Sequence, residues 1–542
     1  MHVKNWWKKA IFYEIYIRSF CDGNGDGIGD FIGITKKLDY LKSLGVDCIW
    51  LTPFYKSPKV DNGYDISDYY EIDADYGTME DFETFLKEAH KRDIKVIVDL
   101  VLNHTSDKHP WFIESKSSLQ SPKRDWYIWK DPKDGGVPNN WESFFEGSAW
   151  EYDSNTKQYY YHAFAKEQVD LNWRNEDVKK AMFDVIKFWL DKGIDGFRLD
   201  VINFLMVDEQ FKDNPYDEKG KQIHKYDKDL PETLDIVEEL RKLVDQYPDK
   251  VLVGEVGTEN VLEAAPYLDE EKRLHLVFNF NLGSIQKFDV NKIFKELKSL
   301  EQNLNGGLPT IFFSSHDMPR HVTRFGNDNN REDMAKLFSM LILTARGVPF
   351  IYQGDELGMT DIYIKDIKDM RDVAGILAYE KAIKEGKTED EAIKIANEAG
   401  RDSGRNPVQW DSSRYAGFSL TTPWLPVNEN YKELNAKKQS EDENSVLNFY
   451  KKLIRIRKNS DALLQGEYIV LQNKDDLIYF IRKSGNEKCA VFLNFSDEYK
   501  EVSLDNLDAD KIEMLISNKR EVLDAKYNIR LFPYEALLVR CL

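Results

Sequence analysis

The spacing of apolar positions changes rhythm twice along the chain. Short runs rich in β-branched and aromatic residues first recur between longer amphipathic stretches: IFYEIYI near residue 11, DCIWLTPF near 47, IKVIVDLVLNH near 94, GFRLDV near 196, VLVGEV near 251, LHLVFNF near 274, PTIFFSS near 309 and VPFIYQG near 348. Such runs between helical stretches suit a parallel sheet wrapped by helices. Eight of them predict an α/β fold, a (β/α)8 TIM barrel, over residues 1–103 and 174–463. Between the third and fourth runs, the stretch from His104 to about Trp173 is rich in Trp, Tyr, Pro and Gly and poor in helical periodicity. A loop that long is rare inside a compact domain unless it has a function, so 104–173 is expected to be a small inserted domain overhanging the barrel rim. After about Leu464 the pattern becomes short alternating strands, EYIVLQ, LIYFIRK, KCAVFLNF and EALLVRCL, and predicts a separate antiparallel β-sandwich over 464–542. KAIKEGKTEDEAIKIANEAG near 381 predicts a charged, solvated helical excursion.

Composition narrows the partners. The 95 acids against 75 bases give a formal charge of -20, which argues against nucleic acid or an anionic membrane surface. No segment approaches the roughly 18 apolar residues of a membrane span, and the N-terminus lacks the apolar core and cleavage site of a signal peptide. Cys21, Cys48, Cys489 and Cys541 show neither close pairing nor zinc spacing, so a reduced, cytoplasmic location is expected. The 13% of aromatic residues favours a ligand that stacks on rings, such as a small oligosaccharide, handled by a monomer or weak homo-oligomer.

Three of the eight stretches end in an acid: GFRLD on Asp200, VLVGE on Glu255 and PTIFFSSHD on Asp317. Strand ends that each deliver one carboxylate to a common rim can build a site for glycosidic bond cleavage, which needs one ionised carboxylate and one carboxylic acid across the scissile bond. Arg198 precedes Asp200 by two residues on the same strand face and is expected to keep it ionised. Asp200 and Asp317 would raise the pKa of Glu255 and suit it to the acid role.

The ordered motifs DNGYDISDYY, DLVLNHTS, QVDLNW, GFRLDVINF, VGEVG, SSHDMPR, GDELGMT and RDSGRNPVQW run from Trp7 to about Leu542. Together they resemble the α-amylase superfamily of retaining α-glycosidases (glycoside hydrolase family 13), and within it the oligo-1,6-glucosidase and α-glucosidase group. The resemblance implies that Asp200 is the nucleophile forming a covalent glycosyl intermediate, Glu255 the general acid and then base, and Asp317 the transition-state stabiliser. It also implies a subsite for the non-reducing glucose from Tyr64, Asp99, His104, Phe164, Gln168, Arg198 and His316, with Tyr64 as a stacking platform. Asp61 resembles the acid that closes the pocket with an arginine of RDSGR, either Arg401 or Arg405, so that single glucose units leave from a non-reducing end. Val201, directly after the nucleophile, goes in this group with α-1,6 linkages.

DGNGDGIGD carries Asp22, Asn24, Asp26 and Asp30 at EF-hand-like spacing, but its twelfth position is Gly33 rather than Glu, so it cannot be an EF-hand. Similar loops in the family bind Ca²⁺, and the resemblance implies a structural Ca²⁺ held by these residues and Ile28. Val169, Ser314, Ser315 and Met318 depart from the proline, asparagines and glutamine usual in the group, which bears on linkage and acceptor preference. Nearest alternatives are an α-1,4-acting glucosidase, a trehalose-6-phosphate hydrolase and sucrose-acting enzymes. A phosphate site should show a compact basic cluster near the rim; none stands out, with HVTRF and HKYDK left open. It reads Arg320, His321, Val322, Thr323, Arg324, Phe325 where the isomerases resemble an arginine-aspartate-arginine loop, which favours hydrolysis. Related barrels that are non-catalytic transporter subunits lose the acids and carry a membrane helix; here all three acids stand.

Overall fold

Eight parallel strands form the barrel: β1 Phe12–Ile15, β2 Cys48–Leu51, β3 Lys95–Val101, β4 Gly196–Asp200, β5 Val251–Gly254, β6 Leu276–Val277, β7 Thr310–Ile311 and β8 Val348–Tyr352. The structure, a computed structural model, describes residues 5–257, 260–304, 307–503, 507, 509, 511–523 and 528–542. The strands lie in the order β6-β5-β4-β3-β2-β1-β8-β7. At the seam between β6 and β7 a side chain bridges the strands. Thr310 Oγ1 accepts from Asn279 N at 3.0 Å and donates to Val277 O at 3.2 Å. Gly196 has φ +152°, and a Cβ there would meet Val251 O at 2.0 Å, so the close approach of β4 to β5 requires glycine.

Alternate positions serve two cores, as the period of a strand demands. Phe12, Trp50, Ile97, Val253, Phe278 and Phe350 fill the barrel, with Trp7 packed among them. Their neighbours Tyr13, Ile49, Val98 and Phe197 point outward against the helices. Those helices are α1 Leu38–Leu44, α2 Met79–Lys91, α3 Glu176–Asp191, α4 Pro231–Val244, α5 Val261–Ala264, α6 Val290–Asn303, α7 Arg331–Thr344 and α8 Val446–Lys458. Thr78 and Asp81 form a capping box that starts α2 in the acidic, periodic stretch where the pattern predicts a helix. No helix among the described residues is long and apolar enough to cross a membrane.

Within 104–173, His104–Ser106 pairs antiparallel with Gln168–Asp170, and Trp129–Lys130, Gln158–Tyr161 and Trp150–Asp153 form a small sheet. Trp141, Trp150 and Tyr161 of this insertion pack on Phe204 and Val207, which follow β4, and so anchor it to the rim.

The C-terminal strands Glu467–Lys474, Leu477–Ser484, Glu487–Asn494, Ala536–Cys541 and Ile512–Ser517 make one antiparallel sheet, and Lys500–Ser503 with Asn528–Leu531 a second. Tyr479, Phe492, Leu537 and Val539 face Val502, Ile529 and Leu531 across the sandwich. The other face of the larger sheet packs toward the barrel. Ile478, Phe480, Val491 and Leu538 belong to the main core, because strands apolar on both sides need a second cover.

The charged stretch near 381 is helical, Val373–Lys384 and Glu389–Ala399. Its neck is more than a solvated surface. Asp402 Oδ2 accepts from the amides of Arg371 at 2.6 Å and Asp372 at 2.9 Å, and Asp372 Oδ2 accepts from the amide of Arg401 at 3.0 Å.

Candidate active site

Register brings the charges together. Arg198 on β4 stands opposite Asp99 on β3 and Val253 on β5, so its side chain rises at the C-terminal rim between two neighbouring strands. Its Nη1 donates to Asp99 Oδ1 at 2.9 Å and to Asp200 Oδ1 at 2.7 Å, while Nη2 donates to Glu255 Oε2. Burial opposes the Arg198 charge, but Asp99, Glu255, Tyr64 and Asp200 outweigh it. The expected pairing of Arg198 with Asp200 is present, and the same guanidinium also serves Asp99 and Glu255. Asp99 and Asp200 are buried beside this one cation, with the partly exposed Glu255 as its third partner. Burial raises the Asp200 pKa well above its ordinary value, and Glu255 raises it further through its charge and a hydrogen bond.

Val201 makes the meeting of these acids possible. It lies at φ 36°, ψ 45°, a left-handed conformation that β-branched residues avoid. The turn lets Val201 N donate to Glu255 Oε2 at 3.3 Å and Ile202 N to the Glu255 carbonyl at 3.0 Å.

Asp317 has a different environment. Its Oδ1 accepts from Arg405 Nη2 at 3.1 Å and Arg401 Nη1 at 3.3 Å, and its Oδ2 lies 3.1 Å from His316 Nε2. Burial alone would raise its pKa, but His316, Arg401 and Arg405 hold it below the ordinary carboxylate range. It is thus ionised at any working pH.

Asp61, Tyr64, His104, Phe164, Gln168, Asp200, Val201, Glu255, Asp317 and Arg401 line one pocket, joined by Phe145. Arg401 Nη2 donates to Asp61 Oδ1 at 2.5 Å, and Gln168 Nε2 donates to Asp61 Oδ2 at 3.1 Å. The Asp61 side chain is 5% exposed and that of Arg401 16%, so the pair sits largely shielded in the pocket wall. Burial raises the Asp61 pKa against the pull of Arg401. Burial also pushes His104 down to about 3, leaving it a neutral imidazole.

Four expected contact residues lie behind this lining. Asp99 is fully buried, with Arg198, Tyr64 OH at 3.0 Å and Trp50 Nε1 at 3.2 Å as its partners. Its carboxyl is pushed up to about 6 by burial, against Arg198. Arg198, His316 and Arg405 are likewise buried, and His316 is held by Glu14 Oε1 at 2.6 Å and Tyr64 OH at 2.6 Å. Of the two arginines, Arg401 lines the pocket, while Arg405 Nε donates to His316 O at 2.6 Å. Sequence reasoning missed Glu14, Phe145 and Asp372. Glu14 and Asp372 are two acids among 95 with no motif to mark them, and their partners lie far away in sequence.

Away from the pocket, the loop from Asp22 to Asp30 folds on itself. Asp22 accepts from Gly25 N at 2.6 Å, Gly27 N at 2.8 Å and Ser419 Oγ at 2.6 Å. Asp26 Oδ1 accepts from Ile28 N at 2.8 Å, Asn24 Oδ1 from Asp26 N at 2.9 Å, and Asp30 caps the next helix through Gly33 N at 2.6 Å. Among the described residues no group of three or more His, Cys, Asp or Glu side chains converges as a metal cage. No Lys or Arg among them forms an ion pair with Asp22, Asp26 or Asp30.

Comparison with known proteins agrees with this geometry. The family model described as the alpha amylase catalytic domain matches residues 14–466. An oligo-1,6-glucosidase of Parageobacillus thermoglucosidasius is 45% identical over 98% of both chains. A trehalose-6-phosphate hydrolase of Bacillus subtilis is 43% identical over 99% of this chain and 98% of its own. The crystal structure of Bacillus licheniformis trehalose-6-phosphate hydrolase superposes with a TM-score of 0.91 at 42% identity, covering 99% of each chain. With the barrel, the inserted domain and the rim acids in place, these matches show that the chain belongs to the α-amylase family of glycoside hydrolases.

Proposed function

We propose that the protein is a retaining, exo-acting α-glucosidase that hydrolyses α-1,6-glucosidic bonds of isomaltose and short isomalto-oligosaccharides. The observation that carries this is the pocket walled by the pair of Asp61 and Arg401 and floored by Asp200 and Glu255 on one guanidinium. A pocket closed by that pair admits one terminal glucose. Two carboxylates on neighbouring nitrogens suit the short separation, about 5 to 5.5 Å, of retaining enzymes rather than the wider inverting arrangement.

In the reactive form Glu255 carries the proton that a general acid must supply. Asp200 attacks the anomeric carbon as Glu255 gives its proton to the departing glycosidic oxygen, leaving a glycosyl ester on Asp200. Glu255, now a carboxylate, takes a proton from water as that water attacks the anomeric carbon and the bond to Asp200 breaks, releasing glucose with its original configuration and restoring both acids. Asp317, anionic throughout, faces the positive charge that develops on the sugar ring.

The α-1,6 preference rests on Val201 and on several relatives called oligo-1,6-glucosidases. Hydrolysis rather than isomerisation is supported by Arg320 and Arg324. Both turn to backbone carbonyls, Gln353 O at 2.7 Å and Gly283 O at 3.0 Å, and neither lines the pocket. Trehalose-6-phosphate hydrolysis is the second reading, favoured by the 43% identical relative of that name.

A structural Ca²⁺ would suit the loop of Asp22, Asn24, Asp26, the Ile28 carbonyl and Asp30. Its donors are hard oxygens, three of them carboxylates that no Lys or Arg among the described residues pairs with. Burial raises the Asp30 pKa, a strain that a bound cation would relieve. Four buried, unpaired cysteines support a reducing, cytoplasmic location. The acidic surface supports a chain that engages neither nucleic acid nor anionic membrane.

The deciding experiment compares kcat/KM on isomaltose, maltose and trehalose 6-phosphate, and reads the anomer of the released glucose by proton NMR. Preference for isomaltose with α-glucose formed first supports the proposal. β-Glucose first would overturn retention, preference for maltose would overturn the linkage, and activity confined to the phosphorylated sugar would establish the second reading.

A further inference from the structure

Arg401 must reach Asp61 without collapsing onto Asp317, and the contacts around it show how. Asp372, fully buried at the neck of the helical excursion, grips Arg401 three ways. It accepts from the Arg401 amide at 3.0 Å, from Nε at 2.9 Å and from Nη2. Asp372 precedes the helix Val373–Lys384 at the capping position, yet its side chain makes no capping bond to that helix. A carboxylate that forgoes the usual capping bond for a guanidinium is committed to that guanidinium.

The same grip explains the distances in the pocket. Arg401 Nη2 serves Asp61 at 2.5 Å, while Nη1 stays at 3.3 Å from Asp317. Arg405 Nη1 lies 3.6 Å from Asp372, so this acid also faces the second arginine that touches Asp317. Burial works against ionisation of Asp372, but Arg401 and Arg405 outweigh it and lower its pKa. Around two arginines stand three acids, Asp61, Asp317 and Asp372. Without Asp372 the arginines would face only Asp61 and Asp317, and Arg401 would be free to turn toward Asp317.

We infer that Asp372 is a positioning residue: it fixes Arg401 against Asp61 to close the glucose pocket and keeps that arginine from pairing fully with Asp317. It touches no substrate and acts through Arg401. The inference rests on the proposed function for the identity of the sugar, but the geometry it invokes is that of the neck alone.

The test uses the full chain, with Asp372→Asn, Arg401→Ala and the double variant, and Asp372→Ser as a second substitution should Asn fail to fold. Binding of D-glucose is measured by calorimetry beside kcat and KM for isomaltose. Asp372→Asn is expected to weaken glucose binding and raise KM at least tenfold. The double variant should then be no worse than Arg401→Ala alone, because both changes remove one device. A purely structural role would lower Tm and add its effect to that of Arg401→Ala. Unchanged glucose affinity in a folded Asp372→Asn, or full additivity, would overturn the inference. Failure of the native enzyme to bind glucose would instead count against the proposed function.

Discussion

The amide of Val201 donates to the carboxylate of Glu255 at 3.3 Å from a left-handed backbone, φ 36°. A β-branched residue is thus held in a strained turn at the point where two rim acids meet. Glycine ordinarily weakens structure relative to alanine by about 0.5–1 kcal/mol, but here it would relieve a penalty of about 1–2 kcal/mol. Val201→Gly is therefore expected to melt no lower than Val201→Ala in calorimetry. Both should raise the maltose to isomaltose ratio of kcat/KM, and an unchanged ratio would remove Val201 from the linkage argument.

Asp200→Asn should lower kcat by at least about 10³ while the protein stays folded, since Arg198 keeps Asp99 and Glu255 as partners. Rapid-quench kinetics and circular dichroism together check this. Near-normal turnover in a folded variant would take the nucleophile role away from Asp200.

Asp170 supplies a pH test. Burial pushes its carboxyl from 3.8 up to about 7, while Ala163 N and Asn103 Nδ2 each donate to it at 2.9 Å. Between those two pH values the folded state holds a proton that the unfolded chain has released, so this residue subtracts stability as pH rises. Relative to the native chain, Asp170→Asn should gain on the order of 1 kcal/mol per pH unit from about pH 4 to 7. Parallel denaturation curves at pH 5 and 7, with no change in the gap, would contradict this.

Removing calcium with EDTA should lower Tm by several degrees, and added Ca²⁺ should restore it, since a ligand present at 100 times its Kd stabilises by about 2.7 kcal/mol. Activity at 25 °C should hold, because the loop lies outside the pocket lining. Asp26→Asn should blunt the response. A Tm indifferent to EDTA would dispose of the bound cation.

The eight strands and the insertion were legible because their signals are local: apolar runs for buried strands, and a long aperiodic stretch where helix is expected. What escaped depends on neighbours brought together only by the fold. Asp99 shares a motif with residues of the pocket, yet its register partner Arg198 and the ring of Trp50 cover it. Asp372 reaches Arg401 through a helical excursion whose charges promise only solvent. The role of Arg198 was half visible, since the same-face argument finds Asp200 two residues away but not Glu255 across the next strand.

Ala536–Cys541 lies between Glu487–Asn494 and Ile512–Ser517 in the C-terminal sheet, and Leu538 within it seals the core shared with the barrel. On the ribosome, a nascent chain lacking this strand would present the outer face of α7 and α8 with an unfinished cover. Catalytic competence should accordingly wait for this strand, and clipping it should silence an active site to which it contributes no atom.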